Sequence, residues 1–206
     1  MGIAERRAGD KQKMRGRILE TAMKLFLKEG YDRVTIRAIA QAIEYSPATI
    51  YLYFKDRNEI LYALQTIGFE KLYEKQQEIL SVKDPWKRLR RHGRIYIEFA
   101  LNNAEYYDLM FIMRGPVKKM KEKMKWEAGM RSYGMLRENV KACMDAGYLA
   151  KANPEVATFA FWSLTHGVAS LVIRERTIMF PEEHLNAIIE GAFDFIMENM
   201  SRKTGK

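Results

Sequence analysis

Apolar residues recur along this chain at the spacing of a helix face, and strand-like alternation is nearly absent. Ile18, Ala22, Leu25 and Phe26 fall at i, i+4, i+7 and i+8, one apolar face of a helix expected from about Lys11 to Glu29. Gly30 suits the position after it, because glycine accepts a positive φ without a Cβ clash. Thr35 caps a second expected helix to about Ile43, with Ile36, Ile39, Ala40 and Ile43 inward. Ser46 caps a third, ending near Phe54, with Pro47 in its first position, where the missing N–H costs nothing. Asp56 and Glu59 form a capping-box-like pair for a fourth, to about Leu80. Asp84-Pro85 opens a helix to about Leu101, a shorter one runs from about Ala104 to Met113, and Gly115-Pro116 stops it. A long helix is expected from about Val117 to Ala146, closed by Gly147. Asn153-Pro154 opens another to about Arg176, and Pro181 with Glu182 and Glu183 opens the last, to about Met200. The expected fold class is all-α, with residues 1–10 a flexible basic arm and residues 201–206 a tail.

Composition narrows the class. The chain has 206 residues, 48% hydrophobic and 30% charged, which describes a globular chain with a sizeable core. Its net charge of +9 favours an anionic partner, either nucleic acid or an acidic membrane surface. One cysteine, Cys143, permits no internal disulfide and fits a reducing, cytoplasmic setting. The N-terminus lacks the apolar stretch of a signal peptide. Val156 to Ile173 carries no formal charge and is just long enough to span a bilayer. Its Thr158, Ser163, Thr165, His166, Gly167 and Ser170 favour a helix buried in protein, so no membrane partner is expected. There is no phosphate-binding loop, G-x-G-x-x-G, C-x-x-C or H-E-x-x-H, and His92, His166 and His184 lack ligand spacing. No catalytic residue, metal or cofactor is therefore expected.

The second and third helices are joined by only Glu44 and Tyr45. Two short helices, a tight turn and a supporting helix before them describe a helix-turn-helix, whose second helix enters the DNA major groove N-terminal end first. Ile50 and Phe54, four apart, face the core, which leaves Pro47, Ala48, Thr49, Leu52 and Tyr53 outward. Spacing alone leaves an ordinary three-helix bundle open. Charge favours the first reading, because residues 1–57 hold 12 Lys/Arg and 7 Asp/Glu, a net of +5. Arg6, Arg7, Lys11, Lys13, Arg15 and Arg17 supply much of it, and such side chains contact phosphates without reading sequence.

The run "ILETAMKLFLKEGYDRVTIRAIAQAIEYSPATIYLYFKDRNEIL", Ile18 to Leu61, resembles the DNA-binding domain of TetR-family transcriptional regulators. It carries the "F…GY…T…A" run and the "T-I-Y-x-Y-F-K" core of the recognition helix. The resemblance implies a three-helix helix-turn-helix domain over residues 11–56, joined through the fourth helix to a larger helical ligand-binding and dimerisation domain over 57–200. It implies a homodimer on a palindromic operator in double-stranded DNA. By position, it implies phosphate or base contacts from Thr35 and Arg37, base-facing contacts from Ser46, Pro47, Ala48 and Thr49, and phosphate contacts from Tyr51, Tyr53 and Lys55. The family usually has glycine, then a small apolar residue, where this chain has Glu44 and Tyr45. A positive φ at Glu44 would cost roughly 1 kcal/mol relative to glycine, with Tyr45 compensating by added buried area.

In the C-terminal half, "FWSLTHGVASL" contains a W-x-x-x-H-G run at Trp162, His166 and Gly167 that resembles the WHG type of C-terminal domain. The helix around it is apolar nearly all round, so burial on both faces is expected. Ala160, Leu164, Gly167, Val168 and Leu171 form one candidate dimerisation stripe, and Leu185, Ile188, Ile189, Ala192 and Ile196 another. A monomer whose core surrounds the helix is the alternative. Tyr96, Phe99, Tyr106, Met110, Met113, Trp126, Met130, Tyr133, Trp162 and His166 are candidate lining for a small hydrophobic or aromatic effector, with His166 and Tyr106 as polar contacts. Plain core is the competing reading of these side chains. The run "KKMKEKMK", Lys118 to Lys125, reads as a solvated helix start. The expected function is a repressor released by its effector. A regulator without a small-molecule effector, acting as an activator or through a protein partner, is the alternative.

Overall fold

The computed structural model describes residues 2–113, 115 and 126–202. Among them the elements are helical: α1 (Ile3–Glu29), α2 (Ile36–Ala42), α3 (Pro47–Tyr51), α4 (Arg57–Gln76), α5 (Pro85–Asn102), α6 (Ala104–Tyr107), α7 (Glu127–Asp145), α8 (Pro154–Ile173) and α9 (Glu182–Met200). Short 3-10 turns follow α1 and α4, and a π turn at Asp108–Ile112 follows α6. The run at Lys118 to Lys125 lies outside the described residues. The chain forms two compact units, Met1–Phe69 with Glu105–Trp126, and Glu70–Ala104 with Glu127–Lys206.

The first unit is built on a continuous core of Ile18, Ala22, Phe26, Val34, Ile39, Ile43, Ile50, Phe54, Ile60, Leu61 and Leu64, with Leu109 added from the π turn. Its helix starts follow from capping chemistry. Thr35 Oγ1 accepts from Ala38 N–H at 3.1 Å, and Asp56 Oδ1 accepts from Glu59 N–H at 3.0 Å. Glu59 reaches back to the Lys55 N–H rather than to Asp56, one residue earlier than the usual capping box. Arg57 closes the unit. Its Nη1 donates to the carbonyls of Tyr31, Asp32 and Val34 at 3.1, 3.0 and 3.0 Å, and its guanidinium lies 4.5 Å over the Tyr31 ring. Gln65 Nε2 donates to the Leu109 carbonyl at 2.8 Å.

Two expectations change here. Residues 3–10, expected as part of a flexible arm, are helical, because α1 begins at Ile3. Ala4, Glu5, Arg6, Arg7 and Ala8 are good helix formers, which outweighs Gly9. The Glu5 carboxylate also takes the Gly2 N–H at 2.7 Å. The boundary expected between residues 56 and 57 falls instead inside α4, after Phe69. Ile60, Leu61 and Leu64 are core residues of the first unit, so the first half of α4 belongs to it.

The second unit packs α5, α7, α8 and α9 around Leu89, Ile97, Leu136, Val140, Cys143, Phe161, Ile189 and Phe193. Asp84 and Asn153 cap α5 and α8, accepting N–H bonds of 2.8 Å each. Gly93 lies where an added Cβ would come within 2.5 Å of Phe193 and 3.0 Å of Phe161, so α5 meets both rings only because it has no side chain there. One buried polar network crosses this core. Asn139 Oδ1 accepts from Arg88 Nε at 2.7 Å, which turns the Asn139 amide nitrogen toward His92 Nδ1 at 2.8 Å. The Nδ1 lone pair therefore accepts, and the imidazole proton sits on Nε2, 2.8 Å from the Gln76 amide. In the opposite amide orientation Gln76 Oε1 is buried without a partner. The network thus selects the orientation in which Oε1 accepts from Nε2–H.

Burial pushes the His92 imidazole down to about 4. An unfolded chain protonates it near its ordinary value of 6.5. Between those values the unfolded state holds a proton that the native state does not, so stability falls as pH falls through that window. At about 1.4 kcal/mol per unit, the loss is on the order of 3 kcal/mol. Urea unfolding of the parent and of His92→Gln between neutral pH and about pH 4 should show the parent losing more stability by that order. Equal losses in both proteins would contradict a neutral buried His92.

Candidate nucleic-acid interface

The turn between α2 and α3 is a Schellman C-cap. Tyr45 N–H donates to the Ala40 carbonyl at 3.0 Å and Glu44 N–H to the Gln41 carbonyl at 3.1 Å. This geometry needs a left-handed residue at Glu44, whose φ is 62°. The family's usual glycine would meet it without strain, and glutamate does not. Tyr45 does not compensate by burial as expected, since it is 43% exposed. It forms a ring contact instead, with the Arg17 guanidinium 5.6 Å from its centroid.

Ser46 then caps α3, its Oγ accepting from Thr49 N–H at 3.3 Å and lying 3.1 Å from Thr49 Oγ1. Pro47 occupies the first turn. Ile50 and Phe54 are buried at 0% and 2% exposure, as their spacing predicts, and Arg15 lies 5.1 Å over the Phe54 ring. Hydrogen bonds from Tyr53 N–H and Phe54 N–H to the Ile50 carbonyl, at 2.9 and 3.0 Å, carry the turn past the helix end. Of the predicted contacts, Thr35, Arg37, Ser46, Ala48, Tyr51 and Lys55 are exposed, and Pro47 and Thr49 are half-exposed. Tyr53 is also half-buried, because it packs against the first unit's core. Leu52 stands in solvent. The exposed positions of α2 and α3 thus include a hydroxyl-rich helix entry, a guanidinium and a phenol, with the Lys55 ammonium just beyond.

The candidate effector residues are divided between the two units. Tyr106, Met110, Met113 and Trp126 lie in the first unit, where Met110 and Tyr106 crowd Gly68, and Phe69 meets Trp126 edge-on at 4.9 Å. Tyr96, Phe99, Met130, Tyr133, Trp162 and His166 lie in the second. Four of those six converge. Tyr96 Oη is 3.0 Å from His166 Nδ1 and accepts from Trp162 Nε1 at 3.3 Å, and Tyr133 meets the Trp162 ring edge-on at 6.5 Å. Burial pushes the His166 imidazole below its ordinary value. Phe99 is buried on α5, whereas Met130 is exposed on α7.

Three of the ten residues expected in the dimerisation stripes face their own chain, and seven do not. Ile189 is buried in the second unit's own core, and Val168 and Leu185 pack against that core. Ala160, Leu171 and Ala192 are exposed, and Leu164, Gly167, Ile188 and Ile196 are half-exposed. On α8 and α9 the large apolar residues left exposed are Val156, Phe159, Leu171 and Phe195, the two phenylalanines at 61% and 68% exposure. Within one chain α8 is therefore buried on one side only, through Thr158, Phe161, Thr165 and Ala169. It is long and apolar enough to cross a membrane by length and composition. Its two buried threonine hydroxyls are satisfied, Thr158 donating to the Pro154 carbonyl at 2.7 Å and Thr165 to the Trp162 carbonyl at 3.0 Å.

The fold and the exposed α2–α3 face define a helix-turn-helix DNA-binding protein. Residues 18–64 match the family model of bacterial regulatory proteins of the tetR family, and residues 89–196 match a tetracyclin repressor-like C-terminal domain. The chain belongs to the TetR family. It is a DNA-binding transcriptional regulator and not an enzyme. The WHG subtype expected from Trp162, His166 and Gly167 is not confirmed by these matches. The chain is similar to the HTH-type transcriptional regulator HbdR of Aromatoleum sp. (strain CIB), 25% identical over 187 residues, covering 87% of this chain and 80% of HbdR. Its fold is similar to that of the fatty acid degradation regulator FadR from Bacillus halodurans, with a TM-score of 0.72, 16% identity and coverage of 89% of this chain and 94% of that one. It is also similar to the TetR family transcriptional regulator PfmR from Thermus thermophilus, with a TM-score of 0.66, 23% identity and coverage of 92% and 96%.

The strained turn makes a stability prediction. Glu44→Gly removes a left-handed penalty of about 1–2 kcal/mol and adds about 0.4–1 kcal/mol of unfolded-state entropy. The net gain is about 0.5–1 kcal/mol, or roughly 2 °C in Tm, read by thermal unfolding. A lower Tm would contradict the strain at this turn.

Proposed function

We propose that the chain acts in the cytoplasm as a homodimeric repressor on a palindromic operator, released by a small, largely hydrophobic effector bound in its C-terminal domain. The observation that carries this reading is the apolar stripe left open on α8 and α9, with Phe159 and Phe195 more than half exposed, in a chain whose α3 entry also stands open. Exposed apolar area of this kind marks an interface. Two copies related by a two-fold axis bury the same stripe twice, forming a four-helix contact. Dimerisation sets the separation of the two recognition helices, which must be ~34–36 Å to meet successive major grooves.

Within each head, Ser46, Pro47, Ala48 and Thr49 face bases, and Thr35, Tyr51, Tyr53 and Lys55 hold phosphates. Arg37 takes a guanine edge. The convergence of Tyr96, Tyr133, Trp162 and His166 supports an aromatic-walled effector site with a few polar atoms. A ligand that binds one arrangement of the dimer better than another changes the spacing of the heads, with a coupling on the order of 1–3 kcal/mol.

Selection of bound sequences from random double-stranded DNA should enrich a palindrome. Arg37→Ala should relax preference at particular base pairs by about 1–3 kcal/mol, while Lys55→Ala weakens all sequences alike. An enriched site without two-fold symmetry, or a particle of single-chain mass by light scattering at micromolar concentration, would overturn the dimer.

A further inference from the structure

Leu52, which closes α3, is 75% exposed, more than any other large apolar residue described in the first unit. Tyr45 and Tyr51, also exposed there, each carry a hydroxyl that suits water, and leucine carries none. The backbone at Leu52 is still helical, with φ −70° and ψ −18°. Its N–H donates to the Thr49 carbonyl at 3.2 Å. The side chain is therefore held at the helical phase of α3 and does not hang from a loop.

Phase determines where it points. At about 100° per residue, Leu52 falls roughly 40° from Ala48 and roughly 160° from Ile50, the buried anchor. Ala48 is exposed as well. The two form an apolar strip roughly 6 Å long on the side of α3 opposite the core. Thr49 and Tyr51 flank it, one on each side, each roughly 100° from Ile50. A helix seated in the major groove turns the side opposite its core toward the base edges. There the groove presents donors, acceptors and one apolar group, the C5-methyl of thymine. Leucine can neither donate nor accept a hydrogen bond, so that methyl is the one feature of the groove it can recognise.

We propose that Leu52 is a specificity-determining residue that packs on the C5-methyl of a thymine in each half-site, within about two base-pair steps of the pair that Ala48 faces. The same side chain acts against the alternatives. A G·C pair in that place would have polar edge atoms stripped of water by leucine and given no partner in return. The inference rests on the reading of α3 as the base-facing helix, and it adds a required thymine that Ser46, Pro47, Ala48 and Thr49 do not account for. The occupant is DNA rather than a protein. A strip of one leucine and one alanine falls far short of the roughly 800 Å² that each partner buries in a stable protein interface, and it matches the size of a single methyl.

The test takes the full-length protein and the duplex it selects, with uracil substituted for each thymine in turn. Uracil lacks the C5-methyl and keeps every hydrogen-bonding group. At one position, the same in both half-sites, the parent should bind about fourfold more weakly per half-site, the effect of one lost methyl contact. Leu52→Ala should bind the thymine and uracil duplexes equally at that position and keep the parent's response at every other. Leu52→Met, apolar and of similar volume, should retain the discrimination. Both variants should unfold at the parent's Tm, because the side chain is exposed. A parent indifferent to uracil at every position, or a Leu52→Ala variant with the parent's full response, overturns the methyl contact and leaves α3 as the reading helix. Failure of the parent to select any sequence overturns the reading of α3 and this inference with it. A changed particle mass for Leu52→Ala by light scattering, with the uracil response unmoved, assigns Leu52 to a contact between copies of the chain and overturns the inference too.

Discussion

Burial of Ile50 and Phe54 is the constraint on which the rest depends. A helix of five residues has no stability of its own in water, since isolated helices need about 12–15 residues to be even marginal. Two fully buried side chains contribute about 1.5–3 kcal/mol each, and here they are the fully buried apolar groups that α3 and the turn after it commit to the core. The Ser46 cap, Pro47 at the first turn and the Schellman turn before them reduce the backbone freedom that this burial must overcome. Anchoring from one side also frees the other. Tyr51 and Leu52 between the anchors, and Ser46, Ala48 and Lys55 beside them, stand in solvent, and a DNA reader needs such an open side.

The seat for α3 is itself held from a distance. Arg57, the first residue of α4, bonds three carbonyls of the α1–α2 connection, while its guanidinium stacks on Tyr31. Tyr31 in turn hydrogen-bonds Asn58. The start of α4 is thereby tied to the segment that positions α2, and α4 is also where the chain passes from the first unit to the second. In the second unit the last residue of α4, Gln76, joins the buried His92–Asn139–Arg88 network. Both ends of α4 are thus fixed by specific polar contacts in the unit each belongs to.

Much of the first unit is legible from sequence because short-range chemistry determines it. Caps at Thr35, Ser46 and Asp56 bond their own helices, and the strained φ of Glu44 follows from a turn too tight for any other geometry. The extent of α1 is not legible, because its charged residues resemble an arm in composition while having high helix propensity. The boundary inside α4 is hidden because Ile60, Leu61 and Leu64 continue a regular helical pattern with no local mark of which core they enter. In the second unit the difficulty is phase. A helix apolar on all sides, as α8 is, carries no signal for which side meets its own chain. Periodicity therefore puts Ile189 and Val168 outside and passes over Phe159 and Phe195. Scattered aromatic and methionine residues likewise give no sign that they divide between two units.

If one buried side of α3 serves the core and the open side serves DNA, the two can be varied independently. Ser46, Pro47, Ala48 and Thr49 can be exchanged for other cap-compatible residues with Ile50 and Phe54 kept, and the new protein's preferred duplex determined together with its Tm. The expected result is a changed base preference in each half-site with Tm moved by no more than roughly 2 °C. An unchanged base preference in the exchanged protein would contradict the assignment of sequence reading to the open face of α3.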